Sequence, residues 1–534
     1  MTKRTGDDLG PAASKRRSVR TRTSQQSSTA SGSALPEPRP QAIEDPLVLP
    51  TRSSYYARDD LDLGHMGCFS HSADLLEHRE QLGAALAEPQ SGLVAAREST
   101  SNGDDGLSES QLRMQRLSLA VLDCLPTAPL SRALAKASDN EDAYIGYLGA
   151  TLIPFGNRFW DTHGLVFERP RRKDNLLALA ELLCRNTREQ LVVPSTNEEW
   201  LNSVCGFNSR WEYVGLLIVN TAAYTFNMSD SDPLLKMVVA GVAANRRDYV
   251  CKMLDCADAC YQLCTTWLKQ HNKLSVSLQV SATWLQSVVG GDSSFALWIR
   301  KGAACAGLTA FGMHEHRPEE ESTQARAFSH DQRHIVSLAM TLDTMLATFT
   351  GRPPALSFRY VTCPSPYDID ITTALDDSIS IKVDANGWAL DGRITAGTRR
   401  RASSLAVERR QEILELSLGP DKENIHIESR LIREGLDASF ASMPPLFRIE
   451  INRSSLNKHT PMTISAILNN KLIHLHSHFL LARIEHAYGL HSRFLEVAHE
   501  MLSLLNTFFN VRERLPGYSD ELVWYVSSTP QVSS

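Results

Sequence analysis

Residues 248–267 read DYVCKMLDCADACYQLCTTW. Tyr249, Met253, Cys256, Cys260, Leu263 and Trp267 recur in this stretch at spacings of 4, 3, 4, 3 and 4. That spacing draws one stripe along an α-helix, so the segment predicts a helix with a buried face. Ile335, Leu338, Leu342, Met345 and Phe349 repeat the pattern within 333–349, and Ile464, Ile467, Leu468, Leu472, Leu475 and Phe479 make a third stripe. Ser108-x-x-Gln111, Thr196-x-x-Glu199 and Ser209-x-x-Glu212 read as capping boxes, each just ahead of an apolar segment. Alternation of period two is nearly absent. Only 379–390, with Asn386-Gly387 inside it, reads as one small β-hairpin. No repeat of fixed period recurs, which excludes a regular solenoid. The expected fold class is all-α, a large helical domain over 111–534 with at most that one hairpin.

The N-terminal region differs from this body. Residues 1–54 contain no Phe, Trp or Tyr, and all eight Trp lie at or after Trp160. A Ser/Thr/Gln-rich run over 23–33 is followed by Pro36, Pro38, Pro40, Pro46 and Pro50. Such a segment buries too little apolar surface to offset a backbone ordering cost of about 1–2 kcal/mol per residue. We therefore expect a disordered tail over 1–54, and a partly ordered linker over 55–110 with a short helix at 72–88.

Composition narrows the functional classes. The chain has 534 residues, 42% of them hydrophobic and 22% charged, with a formal net charge of −6. This is a globular composition with no global attraction to nucleic acid or anionic membrane. Ten cysteines without a C-x-x-C pair are too sparse for a disulfide scaffold. The charge-free apolar run 213–229 carries Asn220 and Asn227 and falls short of the roughly 20 residues a membrane span needs, so no membrane association is expected. Nucleophile-elbow, P-loop and dinucleotide fingerprints are absent from the sequence. No catalytic residue is assigned, and the expectation is a protein that is not an enzyme.

Three clusters invite a chemical reading. Cys251, Cys256, Cys260 and Cys264 lie along one helix, where zinc-ligand geometry is hard to reach and burial of free thiols is common, so core packing is expected. His474 and His478 stand at i and i+4 on one helix face, with His476 and Glu485 close by; Leu475 occupies the position where a zinc protease helix carries its general-base Glu, and no third ligand is evident. His314, Glu315 and His316 form a smaller polar group, also read as structural. Arg399, Arg400 and Arg401 read as a solvated helix start.

The basic residues near the N-terminus carry more information. Lys3-Arg4 and Lys15-Arg16-Arg17 are two clusters ten residues apart, and residues 1–22 hold seven basic against two acidic side chains. Two cationic clusters on a flexible tether suit a carrier groove with two acidic sites, so these five residues are the candidate nuclear import signal.

The run GRPPALSFRYVTCP over 351–364 resembles a G-R-P-P-x-L-S-x-R-Y-x-x-C-P motif of fungal zinc-binuclear-cluster transcription factors, in their regulatory or middle homology region. AGLTAFGMH over 306–314 resembles that family's A-x-x-x-G-L-H element, with Met313 in place of Leu. Gly387-Trp388 through Asp391-Gly392-Arg393, and EILELSLGP over 412–420, resemble further family segments in the same order. The resemblance spans roughly 140–510. It implies an all-helical regulatory domain, with His314, Asp343, Gly351, Arg352, Pro353, Pro354 and Arg359 as motif residues whose role is chiefly structural. Pro353-Pro354 should stop the preceding helix, and Arg352 and Arg359 are expected to pair with Asp343 or with carbonyls at the helix end.

One departure from the family is large. Its DNA reader is a cluster of six cysteines holding two zinc ions, whereas this chain has no cysteine before Cys68. The zinc cofactor is therefore not expected here, either because the cluster was lost or because the sequence omits it. The functional expectation is a nuclear transcriptional regulator: its partners are transcriptional co-regulators or other nuclear proteins, it meets DNA through a missing or separate reader, and a small-molecule effector is a further candidate partner. An all-α interaction scaffold is the alternative, and a helical enzyme using the His474/His478 face ranks last. Changing Lys3, Arg4, Lys15, Arg16 and Arg17 together to Ala should move a fluorescent fusion from nucleus to cytoplasm; an unchanged distribution in live cells would remove the import assignment.

Overall fold

A computed structural model describes residues 108–138, 147–420, 423–490, 493–511 and 515. The import cluster, the tail over 1–54, most of the linker and the helix expected at 72–88 lie outside the described residues. All described residues fall in one unit, Leu47–Ser534. They form eighteen α-helices and no strand, so the chain is all-α. At the expected hairpin there is a single antiparallel bridge, Val383 to Ala389. Asp384 tightens that turn by accepting the N–H groups of Asn386 (2.8 Å) and Trp388 (2.9 Å), and the arms are joined by the backbone bonds of Asp384 N–H to the Trp388 carbonyl (2.8 Å) and Leu390 N–H to the Lys382 carbonyl (3.1 Å), short of a named strand.

The first half is built around a helix with hardly any polar face. The helices are α1 (Glu109–Cys124), α2 (Ala128–Ser138), α3 (Tyr147–His163), α4 (Lys173–Arg188), α5 (Asn197–Val204), α6 (Trp211–Asn227), α7 (Pro233–Val239), α8 (Arg246–Gln262) and α9 (Lys273–Gly290). Trp211, Tyr213, Val214, Leu217, Ile218, Val219 and Ala222 of α6 are all buried. A helix apolar on every side is stable only inside other helices, and α6 is flanked by α8, α9, α3 and α4. Gly215 allows the closest of these approaches: a Cβ there would stand 2.7 Å from Leu278 of α9 and 3.0 Å from Cys260 of α8.

The stripe of 248–267 is buried through Tyr249, Met253, Cys256, Cys260 and Leu263. Cys260 and Cys264 lie fully buried in the apolar core, as the packing reading of the cysteines expects. Trp267 departs from the stripe and is only half-buried. The cause is a single π turn at Leu263–Trp267, where the N–H of Leu268 bonds to Leu263 five residues back. The extra residue in that turn rotates the chain beyond it, and Leu268 takes the inward place.

Ser108 and Gln111 form the expected reciprocal capping box. Thr196 caps α5, but Glu199 turns to the N–H and hydroxyl of Ser195 instead of closing the box. The third expected box is corrected. α6 begins after Arg210, and Glu212, wholly buried, pairs with Arg210 at 3.2 Å and accepts from Asn272 at 2.8 Å. The same guanidinium donates to the carbonyls of Asn186, Thr187 and Glu189 at the end of α4. A buried Glu at this position is held as an ion, so it does not serve as a solvated cap.

The second half contains α10 (Phe295–Ala310), α11 (Pro318–Thr323), α12 (Arg326–Thr350), α13 (Ile371–Leu375), α14 (Ala396–Leu418), α15 (Ile425–Ala441), α16 (Arg453–Leu456), α17 (Pro461–Ala487) and α18 (Phe494–Val511). α12 packs on α14, α14 on α17, and α17 on both α15 and α18. The third sequence stripe is buried throughout, but on two sides of α17. Ile464, Leu468, Leu472, Leu475 and Phe479 meet Val497, Met501, Leu504 and Phe508 of α18, while Ile467 packs with Phe447, Met443 and Trp388. Arg401 is a correction to the solvated helix start: it is buried, donates to the carbonyl of Pro366 at 2.7 Å and lies over the ring of Trp388.

Within α12, His330 and His334 are buried one turn apart with their Nε2 atoms 3.0 Å apart, so one ring donates and the other accepts. Burial, with Arg333 nearby, brings His330 down to about 3, and burial holds His334 well below its ordinary value. Unfolded imidazoles take a proton near 6.5, so between those limits the unfolded chain binds more protons and stability falls as pH falls. Asp331, its carboxyl raised by burial to about 7, acts in the opposite sense together with Asp368 and Glu412, but His163, His474 and His478 are also lowered by burial, so three carboxyls are set against five imidazoles. The midpoint of denaturant unfolding should therefore be lower at pH 5 than at pH 7. A midpoint that holds or rises would mean these imidazoles are solvated.

Candidate functional site

Asp343 is the centre of the site that the resembling segments share. It is wholly buried on α12, and Nζ of Lys301, from α10, reaches its Oδ1 at 2.6 Å. Its Oδ1 and Oδ2 also accept the backbone N–H groups of Ala355 (3.1 Å) and Leu356 (2.7 Å). A buried carboxylate persists when its charge is countered and its lone pairs are filled, and here one ammonium and two amides do both. Lys301 and the loop amides take the place at Asp343, which was one of the two partners expected for Arg352 and Arg359, the other being carbonyls at the helix end. Arg352 lies over Trp298 at 5.0 Å, and Lys301 approaches the same ring at 3.5 Å. Arg359 reaches across the surface to Glu415 of α14 at 2.6 Å.

The loop after α12 has a local cause. Gly351 takes a left-handed conformation (φ 63°) that suits glycine, and Arg352 bonds back to the carbonyl of Ala347. The helix therefore ends on Gly351, and Pro353 and Pro354 carry the chain away. The carbonyl of His314 accepts the N–H groups of both Thr362 and Cys363 at 2.9 Å, which ties the 306–314 segment to the 351–364 segment. Gln411 of α14 donates to Thr344 and to the carbonyl of Leu356, both at 2.8 Å, and accepts from the N–H of Phe358 at 2.9 Å. Asp368 accepts the N–H of Ala389 and, at 2.5 Å, the hydroxyl of Thr398, drawing the 387–393 segment onto the start of α14.

Beside this node lies a cleft of about 280 Å³, lined by Lys273, Gly312, His316, Arg333, Cys363 and Pro364 among others. Glu321 sits at its edge, paired with Arg333 and 3.4 Å from His316. The lining is polar and mixed in charge, of a size at the lower limit for small ligands. A second cleft, of about 300 Å³, exposes Cys124 beside Arg169, Arg171 and Lys252. A hydrogen bond from Cys256, aided by Lys252 and Arg171, lowers the Cys124 thiol to about 7, whereas burial pushes the Cys260, Cys264 and Cys305 thiols up.

The histidine cluster expected on α17 separates in space. His476 faces α14, where its Nδ1 accepts from Arg410 at 3.0 Å, and Glu485 is buried against Arg433. His474 and His478 face α15. His474 stacks on Phe440 at 4.2 Å, and Asp437 places Oδ1 3.1 Å from Nε2 of His478 and 4.0 Å from Nε2 of His474. Among the described residues this trio is the group of His, Cys, Asp or Glu side chains with metal-holding geometry. Asp437 was invisible to a sequence reading because it lies on another helix, 37 positions before His474, with no local motif of its own.

No protein-family model, no curated protein and no solved structure matches this chain.

Removing one member of the Lys301–Asp343 pair leaves an uncompensated buried charge, so Asp343→Ala or Lys301→Met should each destabilise the fold by about 3–5 kcal/mol. Replacing both together should cost clearly less than the sum of the two. Additive losses in a double-mutant cycle by denaturant titration would show that the two side chains do not depend on one another.

Proposed function

We propose that this chain is a nuclear transcriptional regulator whose helical body is a regulatory module. The observation that carries the proposal is the meeting of four separated segments, 306–314, 351–364, 387–393 and 412–420, around α12 and α14. Each resembles a segment of the fungal regulatory domain. Bonds made by the His314 carbonyl, the Asp343 carboxylate, the Asp368 carboxylate and the Gln411 amide tie the first three to one another or to those helices, and 412–420 is the end of α14 itself. Separated motifs that assemble into one polar node behave as parts of one domain. The basic clusters at residues 3–4 and 15–17 support a nuclear location. The cleft beside the node is the place for a small-molecule effector, and its mixed lining, Lys273 and Arg333 with Glu315 and Glu321, favours a polar one.

Sequence-specific readout needs side chains set against base edges by a rigid element, which this reading assigns to a separate reader. Among the described residues no helix is long and apolar enough to cross a membrane. The test is to fuse the full chain to an unrelated DNA-binding module and to measure a reporter carrying that module's sites. Reporter output should change relative to the module alone, and Asp343→Asn should diminish the change. Unaltered output from a fusion that is demonstrably nuclear would overturn the regulatory reading.

A further inference from the structure

We infer that Asp437, His474 and His478 form a binding site for one divalent transition-metal ion, of the zinc class, that clips α15 to α17. His474 and His478 stand one turn apart on α17 and present Nε2 on the same side, and Asp437 brings Oδ1 from α15 to meet both. The three ligand atoms lie within 4.8 Å of one another. Two imidazoles and a carboxylate are the ligand types that borderline cations such as zinc select over magnesium or calcium. A tetrahedral zinc with ligands about 2.0–2.1 Å away separates its ligand atoms by roughly 3.4 Å. The 3.1 Å pair already fits, and the 4.0 Å pair closes with a small rotation of Asp437, whose side chain is 63% exposed.

The surroundings favour order in the histidines and freedom in the acid. Phe440 stacks on the His474 ring with 18° between planes and fixes its orientation, while the His478 ring stands edge-on to His474. Three cations also approach. Arg433 is countered by Glu485, and Arg493 by Glu496 and Glu500. Lys471 remains, over the ring of Phe440 at 5.0 Å. That residual positive charge lowers the expected affinity. Three protein ligands leave a fourth position for water, and the two helices joined are separated in sequence by 442–460, which holds a 3-10 turn at Pro445–Arg448 and the short helix α16. Metal binding would therefore act as a reversible cross-link between α15 and α17, independent of the transcriptional reading.

The test uses the full purified chain, stripped with a chelator and titrated with zinc chloride against a chromophoric zinc indicator. One ion per chain should bind, and the thermal midpoint should rise. His478→Ala should abolish binding and Asp437→Asn should weaken it by about tenfold or more, since losing a direct ligand costs no less than losing an outer-shell partner. Both variants should keep the helical circular dichroism of the parent, Asp437→Asn most safely because that side chain is exposed. Cobalt(II) at the site should show visible bands without strong thiolate charge transfer. Absence of binding, zinc retained by both variants, or thiolate bands from the cysteines would each overturn the assignment.

Discussion

The carboxylate of Asp343 holds two helices and a loop of the second half in place. Buried in α12, it draws Lys301 inward from α10 and holds the loop after α12 by two backbone amides. Moving either helix would leave an ion without its partner at a cost of several kcal/mol. The loop thus pinned presents the Leu356 carbonyl and the Phe358 amide to Gln411, which sets the position of α14. α14 in turn packs on α17 and carries Arg410 to His476. A chain of polar contacts therefore runs through the second half, with apolar packing filled in around it.

A comparable arrangement orders the first half. Arg210 gathers the last carbonyls of α4 while holding Glu212, and Glu212 reaches Asn272 at the start of α9. Helices α4, α6 and α9 meet at this buried ion pair, which sits at the N-terminal end of α6, the helix that has almost no polar face. In both halves the apolar stripes determine that helices pack, and the buried ions determine which neighbour each helix meets. Apolar contacts are permissive about partner and register; a buried charge with fixed hydrogen bonds is not.

The sequence was legible where the physics is local. The stripes of 248–267, 333–349 and 464–479 appear as helices with those faces inward, because helical periodicity depends only on neighbours within two turns. The capping box at Ser108 was legible for the same reason. What escaped needed distant partners or a local irregularity. Glu212 has the spacing of a cap and serves as a buried ion because Arg210 and Asn272 converge on it. Trp267 falls on the apolar stripe and is turned aside by one π turn that no residue pattern announces. Within the motif, Gly351 and the prolines were readable from backbone chemistry, whereas the partner of Asp343 was not, since Lys301 lies 42 residues earlier on another helix.

α17 is buried on nearly every side, with α18 covering the face formed by Ile464, Leu468, Leu472, Leu475 and Phe479. That burial fixes an order of events during synthesis. A nascent chain that has emerged as far as α17 displays an apolar ridge met only at Ile451 and Leu456, until the next helix brings Val497, Met501, Leu504 and Phe508 against it. A messenger cut short within the codons for α18 would yield a product whose ridge stays open, the kind of surface that chaperones hold and proteases clear. α18 thus acts as a seal: its arrival separates a helical body that has closed from one that quality control would still treat as unfinished.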